Sequence, residues 1–290
     1  MSRTLWFRRW AQLNGFNIRG DMGSKAGTQA PEGMCVGDSF YWYDTSRINS
    51  SSGTRVNPGG SFDMFLGAPS SVGSHPRNPW RQLCLHRRAT DCQYSSGSPD
   101  FRRESETGSF GHVRPALNLG WHFARADVTT GYGIYMPTGR YTAGATDNTW
   151  PRSVGPRAFR WQRGVLDEAK AWHAASTASF EFHTGKRGSQ AHVGNLMTLE
   201  GGFGRDFLKG VGGIAVAYYA QWKLSGDSTA GLGSELSLPL TTKKTLFGFF
   251  TFRCEWEVEA HTTTQGRGMN VMVVFPLKPI EISKTGGPNQ

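Results

Sequence analysis

An alternation of period two constrains this chain more than any other feature, and it is clearest across Leu117–Tyr141. Leu117, Leu119, Trp121 and Phe123 are separated by Asn118, Gly120 and His122. After a polar break at Arg125-Ala126-Asp127, Val128, Tyr132, Ile134 and Met136 are set against Asp127, Thr129, Gly131 and Gly133. Successive side chains of an extended chain point to opposite faces. Each run therefore predicts a strand with one oily face and one small or polar face. The tight break predicts a β-hairpin, ended by Pro137-Thr138-Gly139.

The same unit recurs along the chain. Met34, Val36, Phe40 and Trp42 oppose Cys35, Gly37, Ser39 and Tyr41, and Ser61–Leu66 is short and apolar. Trp172, Ala174, Ala178, Phe180 and Phe182 oppose His173, Thr177, Ser179, Glu181 and His183. Val193, Met197, Leu199 and Phe203 oppose Gly194, Thr198, Glu200 and Gly202. Ile214, Val216, Tyr218, Trp222 and Leu224 oppose Gly213, Ala215, Gln221 and Lys223. Leu236, Leu238 and Leu240 make a brief run. Leu246, Phe250, Phe252, Cys254, Trp256 and Val258 then oppose Thr251, Arg253, Glu255, Glu257 and Glu259, before a last strand through Met269, Val271, Val273 and Phe275.

Several runs reach about nine to twelve residues, the length a tilted strand needs to cross a bilayer, where soluble strands have about five or six. Short and long connections tend to alternate, as when short turns lie on one side of a membrane. The sequence predicts an all-β fold: one antiparallel transmembrane β-barrel of about 10–12 strands with long loops, filling residues 1–290 as a single domain. Residues 1–19 read as an irregular N-terminus, Gly20–Gly33 as a loop or plug-like segment, and 277–290 as a tail. Residues 67–109 and 138–164 read as long or aberrant loops.

Composition fits this expectation. A hydrophobic share of 37% is low for a soluble core of 290 residues, but half of each barrel strand faces a polar lumen. The 38 glycines, 18 phenylalanines and 10 tryptophans lean the same way. No run approaches the eighteen apolar residues of a transmembrane helix. The net charge of +10 is concentrated in Gly67–Gln93 and Trp150–Gly164, which points to loops rather than to a nucleic-acid surface. These two arginine-rich stretches lack any period, as a frameshift would leave them, and predict a barrel that is incomplete or imperfectly closed. Cys35, Cys84, Cys92 and Cys254 lack metal-ligand spacing and read as free thiols, with a small Cys84–Cys92 loop as the alternative. The N-terminus shows no apolar signal-peptide core, so an exported form would need a leader not visible in this sequence.

Chemistry-bearing residues gather on the polar faces. Glu255, Glu257 and Glu259, at spacing two, stack along about 14 Å. Glu181 and Glu200 lie on other polar faces, with Lys223, Arg253, His173 and His183 to oppose them. In a barrel these residues, with Tyr219 and Gln221, are candidates for the lumen and the solute path. The plainer alternative is a hydrated strand face with local ion pairs. By parity Tyr218 and Trp222 belong to the lipid girdle instead. No nucleophile elbow, phosphate-cradling glycine motif or positioned carboxylate pair occurs, and His122, His173 and His183 have no ligand spacing. No catalytic residue, metal or cofactor is expected.

Certain segments carry a resemblance: Gly27-Thr28-Gln29-Ala30-Pro31-Glu32-Gly33, the pieces of Leu117–Tyr141, Leu199-Glu200-Gly201-Gly202, and Tyr218-Tyr219-Ala220-Gln221-Trp222-Lys223. Trp256-Glu257-Val258, Thr264-Gln265-Gly266 and Phe275-Pro276 complete the set. The chain resembles the SphA-like outer-membrane β-barrels of the MetA-pathway of phenol degradation family. The resemblance implies a Gram-negative outer-membrane barrel associated with uptake of hydrophobic or aromatic compounds, with no catalytic residues to carry over. Residues 67–93 and 150–164 depart from the pattern. The expectation is a passive, non-catalytic, porin-like channel whose partners are outer-membrane lipid and a hydrophobic or aromatic small molecule, not nucleic acid. The alternative is a soluble β-barrel binding a hydrophobic ligand, with its large residues inward and its charges outward.

Overall fold

The computed structural model describes residues 18–26, 33–56, 61–78, 81–98, 101–104, 108–123, 125–135, 157–167, 171–183, 194–207, 212–224, 226–242, 245–278 and 280–281. All regular structure among them is β. The strands are β1 (Gly33–Ile48), β2 (Ser61–Gly67), β3 (Ser70–Asn78), β4 (Arg81–Ser98), β5 (Phe101–Glu104), β6 (Gly108–Phe123), β7 (Ala126–Tyr135) and β8 (Arg157–Asp167). They continue with β9 (Trp172–Phe182), β10 (Leu196–Phe207), β11 (Gly212–Lys223), β12 (Ser228–Thr241), β13 (Thr245–His261), β14 (Thr264–Pro276) and the two-residue β15 (Ile280–Glu281).

Every pairing is antiparallel, and the pairings run in a ring. From β6 to β14 each strand pairs with the next in sequence. β14 then pairs with β1, and β1 leads through β2 and β3 to β4 and so back to β6. β2 and β3 occupy one position, broken at Ala68-Pro69, where the Ala68 amide donates to the Ser39 carbonyl at 2.8 Å. Proline brings no N–H to a ladder, so a break there is expected. β5 and β6 likewise share the far edge of β4. Fifteen strands thus fill twelve positions, with β15 only a short addition to β13.

An even ring places both ends of the strand series on one side. That side also carries the connections at 79–80, 124–125, 168–171, 208–211 and 242–244. The opposite side carries those at 49–60, 99–107, 136–156, 183–195, 224–227 and 262–263. The first rim has only connections of two to four residues and all the long loops lie on the other, the layout of outer-membrane barrels, the short rim facing the periplasm.

Two expectations are corrected here. The stretch 67–109 is not one long loop, because β3, β4, β5 and the start of β6 run through it; likewise β8 takes up 157–164. The ring of pairings passes through both arginine-rich stretches rather than stopping at them. The physical reason is that both edges of these strands are paired, so the backbone is held by its neighbours whatever the side-chain period. Residues 138–156 lie outside the described residues. The tail also departs from expectation by pairing Ile280 and Glu281 with β13.

Burial is inverted relative to a water-soluble protein. Ile214 is 58% exposed and Trp256 53%, whereas Glu200 is 0% exposed. Phe203, Met197, Trp222, Leu232, Phe247, Phe249 and Phe275 also face outward. Charges inside and large apolar side chains outside overturn the soluble binding-protein alternative, because such a surface must be solvated by lipid. The girdle is visible in ring contacts on the outer face: Trp172 stacks on Phe203 at 4.9 Å under Arg205, and Arg267 lies 5.7 Å over Trp42. From Trp172 to Phe182, β9 crosses about 26 Å at a tilt of roughly 40°, close to the apolar band of such barrels.

β4 also decides the cysteine question. Cys84 and Cys92 lie on one continuous strand. Eight extended steps separate them by about 27 Å, where a disulfide needs roughly 6 Å between Cα atoms. Peptide mapping of oxidised protein is expected to find no Cys84–Cys92 bridge. Gln162→Pro, which removes a ladder donor from β8, is expected to abolish the heat-modifiable gel band of the closed barrel.

Candidate functional site

The lumen wall is built by the polar parity of the strands. On β9 these positions are His173, Ala175, Thr177, Ser179 and Glu181, all buried. Register carries the wall sideways: Thr177 lies opposite Glu200, and Glu200 opposite Tyr219. Similarly Ser179 lies opposite Thr198 and Thr198 opposite Gln221, whose Nε2 donates to the Thr198 hydroxyl at 3.0 Å. Glu235 and Arg253 face each other across β12 and β13 and form a buried ion pair, with Nη2–Oε2 at 2.5 Å and Nε–Oε2 at 2.9 Å.

Of the nine candidates from the sequence, Glu181, Glu200, Tyr219, Gln221, Lys223, Arg253, Glu255 and Glu257 are buried on this wall. Glu259 is not, and here the expectation is corrected. Ala230 pairs with Glu259 but Gly231 pairs with Glu257, so Val258 is the extra residue of a β-bulge. Parity flips beyond it: Ala260 is buried, while Glu259 is exposed and bonds His261 Nε2 at 2.8 Å. Tyr218 and Trp222 lie on the outward parity; the Tyr218 hydroxyl donates to Ser176 at 3.0 Å. At the long-loop rim Lys223 pairs with Asp227 and Glu181 with His183, each at 3.0 Å.

Within Gly20–Gly33, which the sequence left as a loop or plug-like segment, residues 20–26 form a strap inside the lumen together with Ile18 and Arg19. Residues 18–26 run along the wall of β9–β13. Arg19 Nη1 bonds Glu257 Oε1 at 2.5 Å, and Arg253 donates to the Gly20 carbonyl. The Met22 amide approaches Glu200 at 3.4 Å. The Ser24 hydroxyl donates to Glu235 Oε1 at 2.6 Å and lies 3.0 Å from His173 Nε2. Lys25 bonds Asp206 at 2.9 Å, near the short-turn rim. Two glycines make room for it. Gly20 adopts φ +70°, and a Cβ there would sit inside the Glu255 carboxylate. A Cβ on Gly202 of β10 would come within 3.0 Å of the Ser24 backbone.

Apart from the exposed Lys25–Asp206 pair, the strap contacts satisfy polar groups of the wall that are buried in this arrangement. Glu257 accepts from Arg19 and Tyr219 on Oε1, and from Tyr43 and the Gly266 amide on Oε2. Tyr43, Tyr41 and Leu66 were missed as lumen residues, although the parity of Met34–Tyr43 already put the tyrosine at 41 opposite the oily face. Among the described residues, the buried Glu255 Oε1, Thr177 Oγ1 and Ser179 Oγ find no hydrogen-bond partner. Among the described residues no group of His, Cys, Asp and Glu side chains is arranged to hold a metal ion.

The Glu235–Arg253 pair yields a direct prediction. Arg253→Met strands Glu235 in the wall and is expected to cost about 3–5 kcal/mol of stability, whereas Arg253→Met with Glu235→Leu is expected to be near neutral. Denaturant unfolding in lipid vesicles measures both.

Residues 45–273 match the family model described as the MetA-pathway of phenol degradation. No curated protein matches the sequence. Among solved structures, an outer membrane channel from Pseudomonas putida F1 superposes with a TM-score of 0.66 at 11% identity, covering 86% of this chain and 97% of that one. The β-domain of the Bordetella autotransporter BrkA and a Pseudomonas aeruginosa FadL homologue follow at TM-scores of 0.46 and 0.45, with 12% and 7% identity. Each match covers 84% of this chain, and 99% and 90% of the respective neighbour. The fold is that of an outer-membrane β-barrel, and the outer membrane is where the chain belongs.

Proposed function

The chain belongs to the MetA-pathway of phenol degradation family, and from that premise we propose that it is a passive, non-catalytic outer-membrane channel for hydrophobic or aromatic small molecules. The observation that carries this reading is the inverted wall: a lipid-facing apolar exterior around a lumen lined by Glu181, Glu200, Tyr219, Gln221, Lys223, Arg253, Glu255 and Glu257.

Such a lumen supports movement down a gradient. It offers carboxylates, amides and phenols that exchange hydrogen bonds with a passing solute, and the proposal invokes no cofactor or energy source. The strap fills part of this path, so solute passes when the strap gives way. Its contacts with the wall are mainly ion pairs and hydrogen bonds, which a hydrated lumen exchanges for water at modest net cost.

Proteoliposomes test the reading. Vesicles carrying the protein are expected to take up p-cresol several-fold faster than empty vesicles. Uptake should run equally in both directions and be indifferent to an imposed proton gradient. Equal rates with and without protein would exclude the channel.

A further inference from the structure

The first described residues of the strap sit in a place suited to something else. The Asp21 amide bonds back to the Ile18 carbonyl at 3.2 Å, so Ile18 and Arg19 project from a tight turn. Ile18 packs on a lumen-side cluster of Tyr41, Tyr43 and Leu66, with Met64 alongside. Next to this apolar patch lies the Glu257 carboxylate. Three of its donors, the hydroxyls of Tyr43 and Tyr219 and the amide of Gly266, come from the wall. The fourth, Arg19, comes from the strap.

We propose that Tyr41, Tyr43, Leu66, Tyr219 and Glu257 form a binding seat for a neutral hydroxylated aromatic molecule, which Ile18 and Arg19 occupy as an internal competitor. The inference rests on the channel reading and names the site and solute class within it. Withdrawing the strap bares an apolar patch and frees one acceptor position on Glu257 Oε1. A ring bearing one hydroxyl restores both: the ring covers the patch that Ile18 leaves, and the hydroxyl donates where Arg19 did. A ring without a donor covers the patch but leaves a buried carboxylate position unfilled, which is penalised. The seat therefore distinguishes phenols from plain arenes. Solute binding and strap seating exclude each other, so arrival of the solute opens the path that it then follows.

Equilibrium dialysis of p-cresol and toluene against the full-length protein in detergent tests the seat. A ligand competing with a segment that occupies its site at least nine-tenths of the time binds about tenfold or more weakly than in the vacated site. Ile18→Gly combined with Arg19→Gly is expected to tighten p-cresol binding by about that factor and to favour p-cresol over toluene. Glu257→Gln in that background is expected to remove the preference. Leu66→Ala, away from the carboxylate, should weaken both ligands and serves if Glu257→Gln loses its heat-modifiable band. An emptied variant that binds p-cresol no better than the parent, or no better than toluene, would overturn the seat. The vesicle assay separates the two ideas. Uptake with unchanged affinity leaves the channel and removes the seat; tightened binding without uptake leaves the seat and removes the channel.

Discussion

A backbone amide or carbonyl facing lipid has no water to bond, and leaving one unpaired costs several kcal/mol. The arrangement of this chain follows from that constraint. Each strand position must be flanked on both sides, which only a ring achieves, and the ring is completed where β14 meets β1 and where β12 meets β13. The constraint also explains why strands run through sequence that shows no strand pattern. β8 is held between β7 and β9, whose own registers are fixed by strong alternation, so its position is imposed from outside, and β4 is paired along both edges by β2, β3 and β6.

With the exterior given over to lipid, polar chemistry has only the interior to occupy. The wall is crowded with carboxylates, and its cations are placed to match: Arg253 directly across from Glu235, and Lys223 beside Asp227. The strap continues this matching from within. It brings Arg19 to Glu257, a hydroxyl to Glu235 and Lys25 to Asp206. An interior of this kind holds its occupant by interactions that water or solute can replace, unlike the packing of an apolar core.

Much of this was legible in the residues. Eight of the nine candidates that parity singled out are buried, and Trp222, which parity assigned to the oily face, is exposed. Parity failed at Glu259 because a single extra residue at Val258 reverses every later side chain, and nothing in the local sequence marks the bulge. It failed over 67–109 and 157–164 because arginines at uneven spacing hide the period, while the strands there are imposed by their ladder partners rather than by their own pattern. The strap was visible only as a loop or plug-like segment over Gly20–Gly33, with no sign of where it would sit. Its seat depends on Gly202 and Glu257, whose proximity to it exists only after the ring has formed.

That last dependence bears on how the protein is assembled. The strap joins the ring at β1, yet its partners are on β9, β10, β12 and β13, with sequence separations of 149 for Ser24–His173 and 238 for Arg19–Glu257. Contacts this distant carry the full entropy of closing long loops and cannot lead folding. They form as the first and last strands meet, and they then bridge the early and late parts of the chain across the interior rather than through the seam. A segment seated inside the finished barrel is thus also an internal tie, linking its early and late strands across the interior.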